Sequence, residues 1–362
     1  MDCRVAIIIP TMNRSDFVVR QLRYYADALP GCSIYIGDSS DAQHCARIAE
    51  AGHQLSSKIK VKHLHVPGLN EMQAIHAASL SVEEPYAAFL GDDDFFIPAS
   101  LEKCARFLDD NPDHSLAHGV AALCALPPKG SSEAIKAIVP YNLGSLEGSS
   151  GSARLLEFFS NYYVTLFSVH RTSSFQQDLE KSKDVPDPHF RELLSSALAA
   201  VKGKAKRLDC LFLIRGDHEE RYRARHMFDW VTQDGWAECY RQLSLRLAEE
   251  IMLVDGSTEQ AAQEIVTQSF WGYLAKGLTR KWHLRYGRPA LSTKLYNLAR
   301  QHPRVARAGR RAISLLPGDT NTLSLYSLLR PSSRYHSDFI PFYRFVTSAA
   351  GQLGSLRTTV EA

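Results

Sequence analysis

The 362-residue chain has no apolar stretch near the eighteen or so residues that a membrane-spanning helix needs. Its opening, MDCRVAIIIP, carries an apolar run of only five residues before proline, too short for the apolar region of a signal peptide. The seven cysteines (Cys3, Cys32, Cys45, Cys104, Cys124, Cys210 and Cys239) are scattered, odd in number and free of any CxxC pair, which excludes a zinc ribbon and a disulfide framework. No GxxxxGK[ST] loop, no GxGxxG after a strand, no HExxH and no GxSxG elbow is present, so phosphate-loop ATPases, dinucleotide enzymes, zincins and α/β-hydrolases lose ground. Charge of one sign is also missing in bulk: a net charge of +3 is too small to imply nucleic acid by itself. Together these absences predict a soluble, reduced, cytoplasmic protein.

What is present is ordinary globular composition, 45% hydrophobic and 22% charged, in a length that implies two or three domains. Over the first 125 residues, short β-branched runs alternate with helix-period segments, the pattern of a mostly parallel sheet covered by helices. Strands are expected at Arg4 to Ile9, Ser33 to Ile36, Lys58 to Val66, Tyr86 to Leu90 and Ser115 to Cys124. Between the first two, Val18, Leu22, Tyr25 and Leu29 recur at helical spacing until Pro30 and Gly31; further helices are expected at Asp41 to Ala51, from Leu69, and after Pro98. Gly144 to Ala153 (GSLEGSSGSA) reads as a surface loop. A strand at Tyr162 to Val169, a helix around Phe190 to Val201 and a strand at Leu208 to Ile214 follow, and from Trp236 the pattern is helical, with breaks at Gly287 to Pro289, Pro303 and Pro317 to Gly318. The resulting division is 1–128, 129–235 and 236–362.

In such doubly wound sheets, ligands bind beyond the carboxyl ends of the strands. Pro10 to Arg14, Gly37 to Asp41 and Gly91 to Asp94 each fall there. Residues 86–96, YAAFLGDDDFF, run a buried strand into three consecutive aspartates and back into two phenylalanines. Two unit charges about 4 Å apart interact by about 4 kcal/mol at an effective dielectric of about 20, so the cluster needs water, a positive partner or a protonation shift. Hard divalent cations such as Mg2+ or Mn2+ prefer carboxylate oxygens and answer that need. The bland alternative is that Asp92 caps a turn and Asp94 caps the next helix.

The segments IIIPTMNR, IGDSSD, GDDDF and PASLEKCARFLDDNPDHSLAHG, in that order and spacing, resemble the nucleotide-sugar-binding half of family 2-like glycosyltransferases. The resemblance covers about the first 125 residues and implies a GT-A fold: α/β, Rossmann-like, a mostly parallel sheet flanked by helices, here with a helical C-terminal region. It implies that Pro10, Thr11 and Arg14 line a nucleoside pocket, that Asp38 contacts base or ribose, and that Asp92, Asp93 and Asp94 supply the DxD function for ribose and a divalent metal. Gly91 stands where the first aspartate of that motif often lies, which leaves open whether Asp92 with Asp94 or Asp93 with Asp94 does the work. His76 falls on the stripe Leu69, Met72, His76, Leu80 and reads as a packing histidine.

If the reaction inverts configuration, a base must take the proton of the acceptor hydroxyl, and the resemblance implies a carboxylate at the start of a helix facing the donor for that role. Glu192 is the first candidate and Asp187 the second; a first-turn carboxylate also satisfies the helix dipole with no catalytic role. After the next strand, IRGDHEERYRAR places Arg215, Asp217, His218, Arg221 and Arg223 together. The resemblance implies a late histidine in the metal shell, for which His218 fits, and arginines such as Arg215 and Arg221 on the diphosphate, where guanidinium geometry is favourable. Glu219, Glu220 and Arg225 read as a solvated charge run.

Between Glu264 and Asp319 there is no acidic residue but eleven lysines and arginines, interleaved with Trp271, Tyr273, Trp282, Tyr286 and Tyr296. Such a region is a candidate for peripheral contact with anionic lipid or for a lipid-linked acceptor, and a solvated amphipathic subdomain is the alternative. No nucleic-acid recognition motif accompanies it. The function implied is metal-dependent transfer of a sugar from a nucleoside-diphosphate donor to an acceptor hydroxyl in glycan or surface polysaccharide assembly. The rivals are a two-metal phosphoryl or nucleotide hydrolase and a non-catalytic binding module of the same fold.

Overall fold

A computed structural model of the chain describes residues 3–125, 135, 137–218, 225–286 and 323–348. The first half alternates strand and helix as the hydrophobic periods require: β1 (Val5–Thr11), α1 (Ser15–Ala28), β2 (Ser33–Asp38), α2 (Ala42–Gln54), β3 (Lys60–His65), α3 (Glu71–Ser79), β4 (Tyr86–Phe89), β5 (Phe95–Phe96), α4 (Pro98–Asp110) and β6 (His114–Ala125). The second half continues with β7 (Ala137–Tyr141), α5 (Gly151–Ser160), β8 (Val169–Arg171), α6 (Thr172–Ser182), α7 (Pro188–Lys202) and β9 (Lys204–Asp217). The last elements are α8 (Met227–Val231), α9 (Trp236–Asp255), α10 (Glu259–Tyr286), α11 (Leu325–Leu328) and α12 (His336–Thr347).

The strands form one nine-stranded mixed sheet in the order β3-β2-β1-β4-β8-β6-β9-β5, with β7 on the free part of β6. The β3-β2-β1-β4 block is parallel, and β6 and β9 are parallel to each other. Short β8 joins the two blocks by antiparallel pairing to β4 and β6. Pro10 stands beside Gly37 and Thr11 beside Asp38, so the first two loops leave the sheet side by side. At Gly37 a Cβ would collide with the Ala74 carbonyl oxygen, so α3 lies against β2 only because that position has no side chain.

Two sequence-based expectations need correction. Tyr162 to Ser168 is not strand: only Val169–Arg171 pairs. The preceding run is buried by laying its polar atoms on α7 instead, with the Tyr162 hydroxyl on Glu192 and the Thr165 hydroxyl on the Ser196 carbonyl. The stretch from Gly144 to Ala153 is not simply a surface loop. Leu146 is fully buried and bridges to Ala205, and Gly151 begins α5, capped by the Ser150 hydroxyl on the Ala153 N–H and by the Asp255 carboxylate on the N–H groups of Gly151 and Ser152. The C-terminal helices pack on the rest of the chain. α9 packs on α7, α10 on α5, and α12 returns to α1, where Phe342 and Phe345 meet Tyr24 and Phe95. The expected breaks at Gly287 to Pro289, Pro303 and Pro317 to Gly318 lie outside the described residues.

Five of the seven cysteines are buried and all seven are free thiols. Among the described residues no helix is long and apolar enough to cross a membrane.

Candidate functional site

The site is built at the carboxyl edge of the parallel strands. β1 ends at Thr11, and the chain turns through Asn13, which takes a left-handed conformation (φ 57°) that asparagine tolerates better than most side chains. The turn is fastened to the loop after β2: Asn13 N–H donates to Ser40 Oγ at 2.8 Å, and Asp41 N–H donates to Asn13 Oδ1 at 2.9 Å. These bonds fix the position of Arg14, whose guanidinium reaches across to the loop after β4.

That loop carries Asp92, Asp93 and Asp94, all buried. Gln21 of α1 holds it from below by donating to the carbonyl oxygens of Gly91 and Asp94 at 2.6 and 2.7 Å. Asp92 accepts from Thr11 Oγ1 at 2.9 Å and from Arg14 Nη1 at 2.6 Å. Asp93 Oδ2 accepts from Arg14 Nη2 at 3.0 Å and lies 2.9 Å from His218 Nε2. Asp94 is turned the other way, accepting from Arg215 Nε and from the Gly216 N–H, each at 2.9 Å. The sequence therefore meets three adjacent carboxylates with partners from the end of β1, the loop after it and the end of β9.

Their charge states differ accordingly. Burial pushes Asp92 up to about 7, against the pull of Arg14. Asp93 is also penalised by burial, but the bonds from His218 and Arg14 outweigh it and hold this carboxyl well below the usual range. Burial raises Asp94 while Arg215 pulls it down; Arg215 in turn is held more firmly protonated than usual by Asp94, and the two form a buried ion pair. Arg215 stacks over Phe167, with its guanidinium carbon 4.1 Å from the ring centroid, and donates to the Tyr141 hydroxyl at 3.0 Å. A third arginine, Arg20, is buried between the rings of Phe17 and Phe95 with Nε and Nη2 unpartnered among the described residues, and Asp93 and Asp92 attract its charge. The expected repulsion is thus met by arginines and by a raised carboxyl, before any metal is considered.

Five of the six carboxylate oxygens of the turn have hydrogen-bond donors; Asp93 Oδ1 has none among the described residues. His218 Nε2 lies against the other oxygen of the same carboxylate. Both oxygens of Asp94 are committed to Arg215 and Gly216. The structure brings Thr11, Arg14, Asp92, Asp93, Asp94, Arg215 and His218 together.

Asp38 closes the other side, at the end of β2. It is fully buried and accepts from the Ser40 N–H at 2.9 Å, with His63 Nε2 2.8 Å from its second oxygen. Burial would raise its pKa, but these bonds lower it on balance. Pro10, the penultimate residue of β1, is half-buried.

The two candidate bases differ in their surroundings. Asp187 is the N-cap of α7: it accepts from the Phe190 N–H at 2.9 Å, from Trp230 Nε1 at 3.0 Å and from Gln233 Nε2 at 2.5 Å, which hold its pKa down despite burial. Glu192, one turn later and half-buried, accepts a 2.6 Å bond from the Tyr162 hydroxyl. Tyr141, Tyr162 and Tyr273 all feel the Glu192 charge, and Tyr141 also feels Asp94. Tyr141 reaches the aspartate turn through Arg215, which donates to both its hydroxyl and Asp94.

His76 is buried on α3 with Nε2 3.0 Å from Glu180 of α6, a helix-to-helix contact as its stripe implies. Arg221, Arg223 and most of the basic stretch before Asp319 lie outside the described residues. Gln21, Tyr141 and Tyr162 were not singled out in the sequence. Nothing in a lone glutamine or tyrosine marks it, since each acts through a partner more than twenty residues away.

Residues 6–141 match the family model described as Glycosyl transferase family 2. The match runs from β1 through β7 and contains both loops and the aspartate turn, so the resemblance read from IIIPTMNR, IGDSSD and GDDDF holds, and the fold is GT-A. No curated protein matches the chain in sequence. Among solved structures, S. aureus TarS 1–349 in complex with UDP-GlcNAc is similar over 78% of this chain and 76% of that chain, with 16% identity and a TM-score of 0.49. Mannosyltransferase PcManGT from Pyrobaculum calidifontis, in complex with GDP-Man and Mn2+, is similar over 86% of this chain and 85% of that chain, with 11% identity and a TM-score of 0.40.

Proposed function

We propose that this chain, a glycosyl transferase family 2 domain over residues 6–141, moves a sugar from a nucleoside-diphosphate donor to an acceptor hydroxyl. The observation that carries the reading is the convergence of Arg14, Asp93 and His218 at the carboxyl edge of β1, β4 and β9, where Arg14 would meet a donor diphosphate and Asp93 and His218 would face its cation. Asp38, with Pro10 and Thr11, would hold the nucleoside. Arg14 would exchange a carboxylate for the diphosphate as the donor enters; a guanidinium fork suits either partner. Asp94 and Arg215 set the shape of the turn and the local positive potential.

Asp93 and His218 are the residues that would hold a divalent cation, Mn2+ or Mg2+. Such an ion, when bound, supplies Lewis-acid stabilisation of the charge on the departing diphosphate. If the transfer inverts configuration, Glu192 accepts the proton of the acceptor hydroxyl, and the Tyr162 hydroxyl orients it. Asp187, with three donors on its carboxylate, serves as a helix cap. The acceptor would enter from the side lined by Tyr141, Tyr162 and Tyr273, and a glycan or lipid-linked acceptor, brought by peripheral contact of the basic C-terminal region with a cytoplasmic membrane face, fits those aromatic surfaces.

Thermal-shift titration with UDP-, GDP- and CMP-linked sugars, each with and without Mn2+, tests the reading. Metal-enhanced stabilisation by one nucleotide class is expected. No stabilisation by any of them would favour a non-catalytic module.

A further inference from the structure

Beside the aspartate turn, three donor atoms of unlike hardness converge. A carboxylate oxygen of Asp38, the Cys45 thiol sulfur and a ring nitrogen of His63 all lie within 4.8 Å of one another, and they are the one such trio of His, Cys, Asp or Glu among the described residues. Three successive elements supply them: Asp38 ends β2, Cys45 lies in the first turns of α2, and His63 is in β3. Asp38 is fully buried, while Cys45 and His63 are partly open, so the trio is anchored on one side and accessible on the other. The Ser40 N–H fixes the Asp38 carboxylate, and His65 Nε2, 2.9 Å from the Ser40 carbonyl oxygen, fixes Ser40 in turn. Orienting contacts of this kind behind a ligand are what metal sites require.

We propose that Asp38, Cys45 and His63 form a binding site for a borderline-soft divalent cation of the Zn2+ class, distinct from the hard-oxygen turn at Asp93. Metal–ligand bonds of about 2.0–2.3 Å put the donor atoms of a tetrahedral site about 3.3–3.7 Å apart, so local side-chain adjustment from the observed separations suffices. Three protein ligands leave a fourth position for water. Thiolate with imidazole selects Zn2+ over Mg2+ or Mn2+, which prefer oxygen alone. On binding, the Cys45 thiol gives its proton to solvent and the sulfur lone pair goes to the metal, with no change of oxidation state. Resting on the function proposed above, the shared ligand Asp38 makes this cation a competitor of the donor's nucleoside.

The test is titration of the full chain with Co2+ as spectroscopic stand-in, followed by Zn2+ displacement, without nucleotide. A thiolate-to-cobalt charge-transfer band saturating at one equivalent is expected. It should vanish in Cys45→Ser, an isosteric change that spares the fold, and the affinity should fall at least ~10-fold in His63→Ala. No band, or a band that survives Cys45→Ser, overturns the site. UDP, GDP and CMP are then added to the cobalt-loaded protein. Loss of the band with a nucleotide that binds the metal-free protein supports the competition, and a retained band with that nucleotide bound overturns it. If no nucleotide binds while the Cys45-dependent band persists, the metal site stands and the transferase reading fails.

Discussion

Arg14 donates to two neighbouring aspartates at once, to Asp92 Oδ1 at 2.6 Å and to Asp93 Oδ2 at 3.0 Å. One fork from the loop after β1 thereby ties down the loop after β4, and a quarter of the Arg14 side chain stays exposed. A cation so placed both neutralises the carboxylates and stands ready for an anion that enters beside them.

Arg14→Lys keeps the charge and loses the fork. Activity should fall about 10²-fold through misplacement of the diphosphate and the Asp93 side chain. Stability should fall by only about 1–2 kcal/mol, less than the 3–5 kcal/mol for breaking a fully buried pair, because solvent reaches this guanidinium. Steady-state kinetics and chemical denaturation of the same preparation check both. Full activity in the lysine variant would deny Arg14 a role at the diphosphate.

Asp93 and Asp94 should separate in their effects although they are adjacent. Asp94→Asn leaves Arg215 buried without its anion and should destabilise the fold by about 3–5 kcal/mol. Asp93→Asn gives up the bonds from Arg14 and His218 that hold its carboxyl ionised, so it too should lose stability, and in addition it should abolish turnover in the protein that remains folded. Full turnover by folded Asp93→Asn would contradict the assignment of Asp93 as the ligand-facing carboxylate.

Glu192→Gln should lower kcat by about 10²–10⁴-fold if the reaction inverts, with little change in donor affinity. Tyr162→Phe removes the 2.6 Å bond to Glu192 and should lower kcat by a smaller factor while altering the pH dependence of kcat. Product stereochemistry from NMR decides whether the comparison applies. An inverting enzyme indifferent to Glu192→Gln does not use it as base.

Two fully buried histidines govern part of the acid sensitivity. Burial lowers His118 to about 3 and His170 to about 4. In the unfolded chain both bind a proton near 6.5. Below that pH the unfolded state therefore gains protons that the folded state refuses, and stability drops as pH falls from about 6.5 towards 4. Replacing His170 by Gln removes its share: the stability of the native protein relative to His170→Gln should decline by about 2 kcal/mol between pH 7.5 and 5. The raised carboxyls Asp92, Asp94 and Asp178 titrate with the opposite sign, but equally in both proteins. Urea titrations at the two pH values measure the difference, and a pH-independent difference would contradict the assignment.

Much of the site was legible because it is local in sequence. β1, β2 and β4 show as apolar runs, each followed within a few residues by its polar loop, and the doubly wound pattern places those loops at one edge. What the sequence hides are partners separated by long stretches of chain. Asp94 reads like its neighbours, but its bonds to Arg215 and Gly216 are set by where β9 ends. The run from Tyr162 to Ser168 has the composition of a strand, yet the edge it would need is already taken, β6 carrying β7, β8 and β9, and hydrogen bonds to α7 replace the missing ladder. Gly144 to Ala153 reads as a loop because its glycines and serines mask a buried Leu146 and the cap of a helix.

The most direct measurement is a mass-spectrometric screen of donor hydrolysis across a panel of nucleotide sugars, with Mn2+ or Mg2+, on the native protein and on Asp93→Asn. The account predicts release of nucleoside diphosphate from one donor class by the native protein and none by the variant. Hydrolysis at equal rates by both proteins, or of no donor by either, would contradict it.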